Sequence, residues 1–231
     1  MSLILSLETA TSSCSVALSL NGEVLACREL NERNVHASYI TVFVDAVLKE
    51  AGRKMKDVDA VAVSRGPGSY TGLRIGVSTA KGLCYALDIP LISVNTLEAM
   101  AAGLSKSGRF DKEVLFCPMI DARRMEVFTA VFNSKGKEIS PVEAKIIDEA
   151  SFSELLSNHK IIFFGDGAEK CERVLGENEN ALFVTDFVNS AKDLVDIAGH
   201  KFQERNFENT AYFEPFYLKD FLTTQPKKTI L

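Results

Sequence analysis

The fold is decided by residues 3–27, which read LILSLETATSSCSVALSLNGEVLAC. An apolar run ends at Glu8, and after a polar turn an alternation of apolar and small polar residues continues to Leu20. Such alternation predicts β-strands, and Asn21-Gly22 predicts a tight hairpin because both residues tolerate a positive φ. We therefore expect three antiparallel strands at the start of the chain.

The same order of features recurs in residues 114–139, which read VLFCPMIDARRMEVFTAVFNSKGKEI. Glu8 stands 13 residues before Asn21, and Asp121 stands 12 residues before Asn133. A repeated succession of strand, acid, turn, strand, turn and strand predicts an internal duplication. The alternative is coincidence among unrelated hairpins.

The segments between and after these two meanders alternate between helical and strand patterns. Helices are predicted at 35–51, 71–87, 151–158 and 191–205, a further one begins at about 96, and strands are predicted at 60–64, 91–94 and 161–164. Strands joined by helices predict a mixed α/β fold. We expect two lobes, residues 1–104 and 105–231, and the sequence leaves open on which lobe the last helix, about 191–205, packs.

Composition limits the function classes. The chain has 231 residues, 26 Lys and Arg, 31 Asp and Glu, a net charge of −5 and 46% hydrophobic residues. This mix excludes general disorder, and the acidic balance excludes a protein that binds nucleic acid alone by electrostatic attraction. Residues 1–110 hold 11 basic and 10 acidic side chains (+1), whereas residues 111–231 hold 15 and 21 (−6). We expect the acidic half to face away from any nucleic acid.

Five scattered cysteines form no Cys-x-x-Cys pair, which indicates reduced thiols rather than disulfides or zinc. The start of the chain lacks the features of a signal peptide, and no stretch has the length of apolar sequence that spans a bilayer. These features predict a cytoplasmic protein that does not bind membranes.

The most informative loop is Arg65–Arg74, RGPGSYTGLR, which follows a predicted strand and opens a helix. Free N–H groups at such a helix start can bind phosphate. The segment lacks the Gly-Lys-Ser/Thr ending of a P-loop. A structural turn with a helix cap is therefore the favoured interpretation, and phosphate binding is the alternative.

The predicted helices at 35–51 and 71–87 are apolar on more than one side, which favours burial on both sides. The second helix also carries the small residues Gly72, Gly76 and Ala80 along one face, where another backbone can approach closely. We interpret both helices as an interface for a partner subunit, with burial in one large core as the alternative. The predicted interface residues are Val35, His36, Tyr39, Val42, Phe43, Ala46, Gly72, Ile75, Gly76, Thr79, Ala80 and Leu83.

Signals for metal and acid–base chemistry are weak. His36, His159 and His200 are isolated, and no metal-ligand spacing is present. Glu8 and Asp121 are weak candidates for a magnesium-nucleotide site across a cleft, and their alternative role is to fix the turn backbone. Arg123 and Arg124 can bind an anion or form salt bridges with nearby acids.

Four segments together resemble the bacterial TsaB family: residues 4–10, 66–81, 120–127 and 165–168. The resemblance covers most of the chain and weakens after about residue 140. It implies a two-lobed fold of the actin, Hsp70 and sugar-kinase (ASKHA) type. It also implies a role in forming N6-threonylcarbamoyladenosine beside the anticodon of tRNAs that read codons beginning with A.

According to this resemblance, the protein is a non-catalytic partner of the paralogue TsaD, which carries the metal and transfers the threonylcarbamoyl group. It implies pairing with TsaD through the two N-terminal helices, with the ATPase TsaE joining them. No cofactor is expected, although a nucleotide at an interface shared within the complex is possible. Contact with tRNA is expected only through the complex, and a homodimer is possible when TsaD is absent.

The sequence departs from the catalytic relatives at two kinds of position. TsaD-type proteins carry His-x-x-x-His on the first long helix, and here Ile40 follows His36 at that spacing and cannot bind a metal ion. Nucleotide-binding members have Asp-x-Gly turns, and here Ala10 and Arg123 stand in place of the glycines. Hydrolysis of ATP by this chain alone is not expected. The rival interpretation is an ATP-binding, sugar-kinase-like phosphotransferase or a glycoprotease-like peptidase.

Overall fold

The computed structural model describes residues 1–32 and 34–219. In this part of the chain, two five-stranded sheets have the same strand order. The first sheet runs β3-β2-β1-β4-β5 and contains β1 (Leu3–Glu8), β2 (Ser13–Leu20), β3 (Glu23–Asn31), β4 (Ala60–Gly66) and β5 (Leu91–Asn95). The second runs β8-β7-β6-β9-β10 and contains β6 (Leu115–Asp121), β7 (Glu126–Asn133), β8 (Glu138–Ile146), β9 (Ile161–Phe164) and β10 (Ala181–Val184).

Each sheet joins an antiparallel three-stranded meander to two parallel strands. The helices that connect and cover them are α1 (His36–Glu50), α2 (Tyr70–Leu87), α3 (Thr96–Lys106), α4 (Ser153–Leu156), α5 (Glu169–Leu175) and α6 (Val195–Gln203). The predicted two-lobed α/β architecture is confirmed, and the repeated strand order agrees with the predicted duplication.

Alternate side chains of β1 enter two different cores because successive side chains of a strand point to opposite faces. Leu3, Leu5 and Leu7 pack with the buried residues of α1 and α2. Ile4 packs on the other face with Leu194 and Ala198. The first sheet is therefore covered by α1 and α2 on one side and by the α6 region on the other.

The two halves of the chain exchange helices. α3 packs on the second sheet, where Leu97 and Met100 contact the cluster around Phe116 and Ile162. α6, preceded by a 3-10 helix at Ala191–Leu194, packs on the first sheet. The position of the last helix, which the sequence left open, is thus against the first lobe. The predicted division between residues 104 and 105 falls inside α3.

Short elements differ most from the prediction. The helix predicted at 151–158 is one turn at Ser153–Leu156, while α5 and β10 were not predicted. α5 has two buried residues, Cys171 and Leu175, which is too few to create a recognisable period.

No helix among residues 1–32 and 34–219 is long and apolar enough to cross a membrane. Residues 225–229, which read QPKKT, predict a polar tail with Lys227 and Lys228, and they lie outside the described residues.

Candidate functional site

The turn between β1 and β2 lies directly beneath the N-terminal half of α2. A Cβ atom added to Gly72 would lie 2.1 Å from the Thr9 carbonyl oxygen, and one added to Gly76 would lie 2.2 Å from Thr9 Oγ1. These distances are far shorter than the van der Waals separation of a carbon and an oxygen atom, so only glycine permits the approach. Gly72 and Gly76 of α2 therefore accommodate this chain's own turn.

This packing corrects one part of the predicted interface. Gly72, Gly76 and Ala80 are buried in the chain itself, so their row is not available to a partner. His36 is also buried, and its Nε2 lies 3.2 Å from the Ser13 carbonyl oxygen, which can only accept a hydrogen bond. His36 thus donates from Nε2 and ties α1 to the start of β2. The alternative given by the sequence, burial in the core, holds for these four residues.

The Gly-Pro-Gly loop also packs against the turn between β1 and β2, the first turn of the chain. The Ser69 N–H donates to the Ala10 carbonyl at 2.7 Å, and a Cβ on Gly68 would lie 2.4 Å from that oxygen. Ser69 Oγ accepts from the Gly72 N–H at 3.3 Å and caps α2. The loop is thus a structural turn with a helix cap, as the favoured interpretation predicted. The Ser69 N–H already donates to the Ala10 carbonyl oxygen and is therefore not free to bind phosphate.

Glu8 ends β1 as a buried carboxyl group, 1% exposed. Its Oε1 accepts from the Ala10 N–H at 2.6 Å and from Ser64 Oγ at 2.9 Å. Burial raises the pKa of Glu8 to about 7, the two hydrogen bonds oppose this rise, and the Asp193 carboxylate adds to it. Glu8 therefore fixes the turn backbone and has no exposed oxygen with which to bind magnesium.

Asp121 is the counterpart of Glu8 in the second lobe, and it is exposed. Its Oδ1 accepts from the Arg123 N–H at 3.0 Å and pairs with Lys170 Nζ. The Asp121 N–H donates to Asp166 Oδ1 at 3.0 Å. Of the two carboxylates that the sequence offered for a magnesium-nucleotide site, Glu8 is thus buried in the first lobe and Asp121 is exposed in the second.

The remaining predicted interface residues lie on or near the surface of α1 and α2. Tyr39 is 41% exposed and Val42 is 55% exposed on the outer side of α1, and the Tyr39 ring contacts the Phe43 ring with centroids 5.6 Å apart. The other members are half-buried: Val35, Phe43, Ala46, Ile75, Thr79 and Leu83. The spacing 39, 42, 43 and 46 places four of them in one stripe along α1.

A groove of about 420 Å³ opens between α1 and α2. Its apolar lining includes Val44, Leu48, Met55 and Leu83, while Lys49 and Arg53 lie among its polar lining residues. Val44 and Leu48 are buried at the base of this groove, and Met55 and the predicted interface residue Leu83 are half-buried. The polar members carry no periodic signal, and only the packing of α1 beside α2 brings them together.

Comparison with known proteins finds similarity over nearly the whole chain. A family model described as "TsaD: tRNA N6-adenosine threonylcarbamoyltransferase" matches residues 24–231. The Escherichia coli protein named "tRNA threonylcarbamoyladenosine biosynthesis protein TsaB" is 33% identical over 228 residues, which covers 94% of each chain.

Solved structures show the same architecture. A Pseudomonas aeruginosa protein described as having similarity to peptidase YEAZ superposes with a TM-score of 0.82 at 26% identity, covering 95% of this chain and 100% of that one. An activator of 2-hydroxyisocaproyl-CoA dehydratase from Clostridium difficile superposes with a TM-score of 0.50 at 10% identity, covering 90% and 98%. The second likeness concerns the fold alone, and it agrees with the predicted ASKHA-type architecture.

Proposed function

Because the chain belongs to the TsaB family of tRNA threonylcarbamoyladenosine biosynthesis proteins, we propose that it is the non-catalytic subunit that binds and activates TsaD. The complex with TsaD and TsaE forms N6-threonylcarbamoyladenosine next to the anticodon of tRNAs that read codons beginning with A. The subunit acts in the cytoplasm, holds no cofactor of its own, and shares any nucleotide with its partners at their common interface.

The exposed apolar stripe on α1 carries this proposal. Tyr39 and Val42 present an aromatic ring and a branched aliphatic side chain to solvent, and Phe43 and Ala46 extend the stripe beside them. Apolar stripes on a surface helix mark protein interaction sites, because covering them removes apolar area from water. The half-buried Ile75 and Leu83 of α2 enlarge the surface. The same surface forms a homodimer when TsaD is absent.

The assignment as a non-catalytic subunit is supported by the first turn. Magnesium binds accessible carboxylate oxygens, and the Glu8 carboxyl group, one of the two candidate ligands, is buried and hydrogen-bonded. The backbone of the turn at Thr9 and Ala10 is packed against the Gly-Pro-Gly loop and α2. These contacts disfavour the sugar-kinase-like alternative.

The proposal is tested with a double variant, Tyr39→Asp with Val42→Asp, mixed with purified TsaD. Both side chains are exposed, so the fold is expected to persist. Two carboxylates in the centre of a desolvated interface weaken binding by about 30-fold or more. The matched control is Ile139→Asp with Ile146→Asp, which charges two exposed apolar residues of β8 instead.

Calorimetry measures the affinity for TsaD, and mass spectrometry of tRNA nucleosides measures the modification. The α1 variant should lose both, and the β8 variant should retain both. Equal affinity in the two variants would contradict the proposed surface. Tight binding and turnover of magnesium-ATP by the isolated chain, lost in Asp121→Ala, would support the kinase-like alternative instead.

A further inference from the structure

Two consecutive arginines form the tip of the turn between β6 and β7. Arg123 has φ 74° and Arg124 has φ 51°, which places both in the left-handed region. The turn is closed by hydrogen bonds from the Ala122 N–H to the Glu126 carbonyl and from the Glu126 N–H to the Arg123 carbonyl, both 3.1 Å. The two arginines are therefore held in a fixed, tight hairpin turn, and both are exposed.

Arginine is a poor residue for this backbone. Positive φ brings Cβ close to the following carbonyl oxygen, which glycine avoids and asparagine tolerates. The chain uses those residues in the hairpin between β2 and β3, where Asn21 has φ 52° and Gly22 has φ 86°. Residues that oppose the local backbone preference are typical of functional positions. The arginine side chains, rather than the turn, are the reason to look for a role here.

Two of the three acids that contact this turn are paired with lysines, and the third accepts a backbone hydrogen bond. Lys170 Nζ binds Asp121, Lys219 Nζ binds Glu126, and Asp166 accepts from the Asp121 N–H. Neither guanidinium makes an ion pair or hydrogen bond with the residues that the structure describes. The salt bridge to nearby acids, one of the two roles open from the sequence, is thus absent within residues 1–32 and 34–219.

The turn carries two adjacent positive charges in a half of the chain, residues 111–231, whose charges sum to −6. Lys170 and Lys219 pair with Asp121 and Glu126, whereas the two guanidinium groups have no ion-pair partner among residues 1–32 and 34–219.

We infer that the Arg123–Arg124 turn contacts phosphodiester groups of tRNA when the complex with TsaD is assembled. The guanidinium group presents a planar fork of donors that matches two phosphate oxygens, and contacts of this kind position a protein on a nucleic acid. One or two such contacts do not make an acidic chain a tRNA binder by itself. They add orientation to a complex in which the partner supplies most of the affinity. This inference rests on the proposed function.

The experiment uses the complex with TsaD and a fluorescently labelled, unmodified tRNA that reads a codon beginning with A. The test variant is Arg123→Asn with Arg124→Gly, which removes both guanidinium groups and places residues suited to positive φ in the turn. The matched control is Lys135→Asn with Lys137→Asn, which removes two exposed charges from the hairpin at the other end of β7. Anisotropy is recorded over a series of salt concentrations.

We expect the arginine variant to bind tRNA about tenfold more weakly. The slope of log affinity against log salt concentration should become less steep by about 1.4 to 1.8, because two phosphate contacts are lost. Its thermal midpoint should equal or exceed that of the unaltered protein, so that weaker binding cannot be ascribed to misfolding. Arg123→Lys with Arg124→Lys should retain most of the salt dependence, because the charge remains. The β7–β8 control should bind as the unaltered complex does.

Equal tRNA affinity of the arginine variant and its control would overturn the inference. So would a variant that loses binding of labelled ATP while its complex keeps full tRNA affinity, or a variant that no longer binds TsaD, because the anion would then be a nucleotide or an acidic surface of TsaD. Failure of the unaltered chain to bind TsaD contradicts the proposed function instead. The two failures are therefore distinguishable.

Discussion

The turn after β1 and the turn after β6 occupy equivalent places in two sheets of the same order, yet one is closed and the other is open. Each is approached closely by a glycine: Gly72 meets the carbonyl of Thr9, and a Cβ on Gly167 would lie 2.9 Å from the carbonyl carbon of Ile120. The acid differs, since Glu8 is buried whereas Asp121 is exposed.

The segments packed around the two turns differ. The backbone of the first turn lies under α2, which has 18 residues, and the second turn is followed by α5, which has seven. Because side chains alternate along β1, Glu8 lies on the same face as Ile4, towards the 3-10 helix Ala191–Leu194 whose Asp193 adds to the rise of the Glu8 pKa. In the second lobe, Lys170 of α5 pairs with Asp121 at the edge of the turn, and Asp121 stays exposed. The same topology therefore gives a closely packed turn with a buried acid in one lobe and an exposed charged turn in the other.

Gly72→Val tests the closed turn most severely. Its Cβ would meet the Thr9 backbone, which cannot move aside as a flexible side chain can. We expect the free energy of unfolding to fall by about 3 kcal/mol or more, measured by urea denaturation. Gly82→Ala in the same helix is the control, because a Cβ there meets nothing within 4 Å, and it should gain about 1 kcal/mol.

Gly167, which lies against the turn after β6, is the position in the second lobe to compare with Gly72. Gly167→Ala brings its Cβ to 2.9–3.0 Å from backbone and the Val127 side chain, compared with 2.1 Å for Gly72. It should destabilise the protein less than Gly72→Ala does. Equal losses at the two glycines would show that the two turns are packed alike, and the contrast between them would then be wrong.

Glu8→Gln probes the buried acid through pH. Because the pKa of Glu8 is raised from 4.5 to about 7 by burial, the folded state holds a proton that the unfolded state releases. Glu8 therefore destabilises the fold progressively as pH rises from about 4.5 to 7, with no further change above that range. Between pH 5 and pH 8 the variant should gain about 2 to 3 kcal/mol relative to the unaltered protein.

Urea denaturation at several pH values measures this gain. Asp193, whose pKa is also raised to about 7 by burial, leaves part of the pH dependence in the variant. A difference between variant and unaltered protein that stays constant from pH 5 to pH 8 would mean that Glu8 is ionised in the fold.

Asp121→Asn should have the smallest effect. It removes an ion pair with Lys170 at the surface, where water and salt screen the charges, and it keeps an oxygen to accept from the Arg123 N–H. We expect a loss below about 1 kcal/mol that shrinks further in 1 M salt. A loss as large as that of Gly72→Val would indicate that the open turn is as structural as the closed one.

Sequence patterns located the elements that bury whole faces. The first meander and the α1 and α2 helices agree with the prediction to within four residues, because long apolar periods and Asn-Gly turns are local signals, whereas β8 runs seven residues past the predicted end at Ile139. α5 and β10 were missed, since four to seven residues with few buried positions carry no period. At the candidate site, helical spacing placed Tyr39 and Val42 on one face of α1, and both are exposed, whereas no local pattern indicates that His36 hydrogen-bonds to the distant residue Ser13.

The sequence by itself determined the α/β class, the duplicated meanders, the two-sided helices and the resemblance to the TsaB family, because each depends on residues near one another in the chain. Only the tertiary structure decided what the glycines of α2 pack against, which acid is buried and which helix covers which sheet. A small-residue row predicts a close approach but does not identify the approaching backbone. Here that backbone is the chain's own turn at Thr9, and the exposed apolar residues Tyr39 and Val42, which we propose contact a partner, lie on α1.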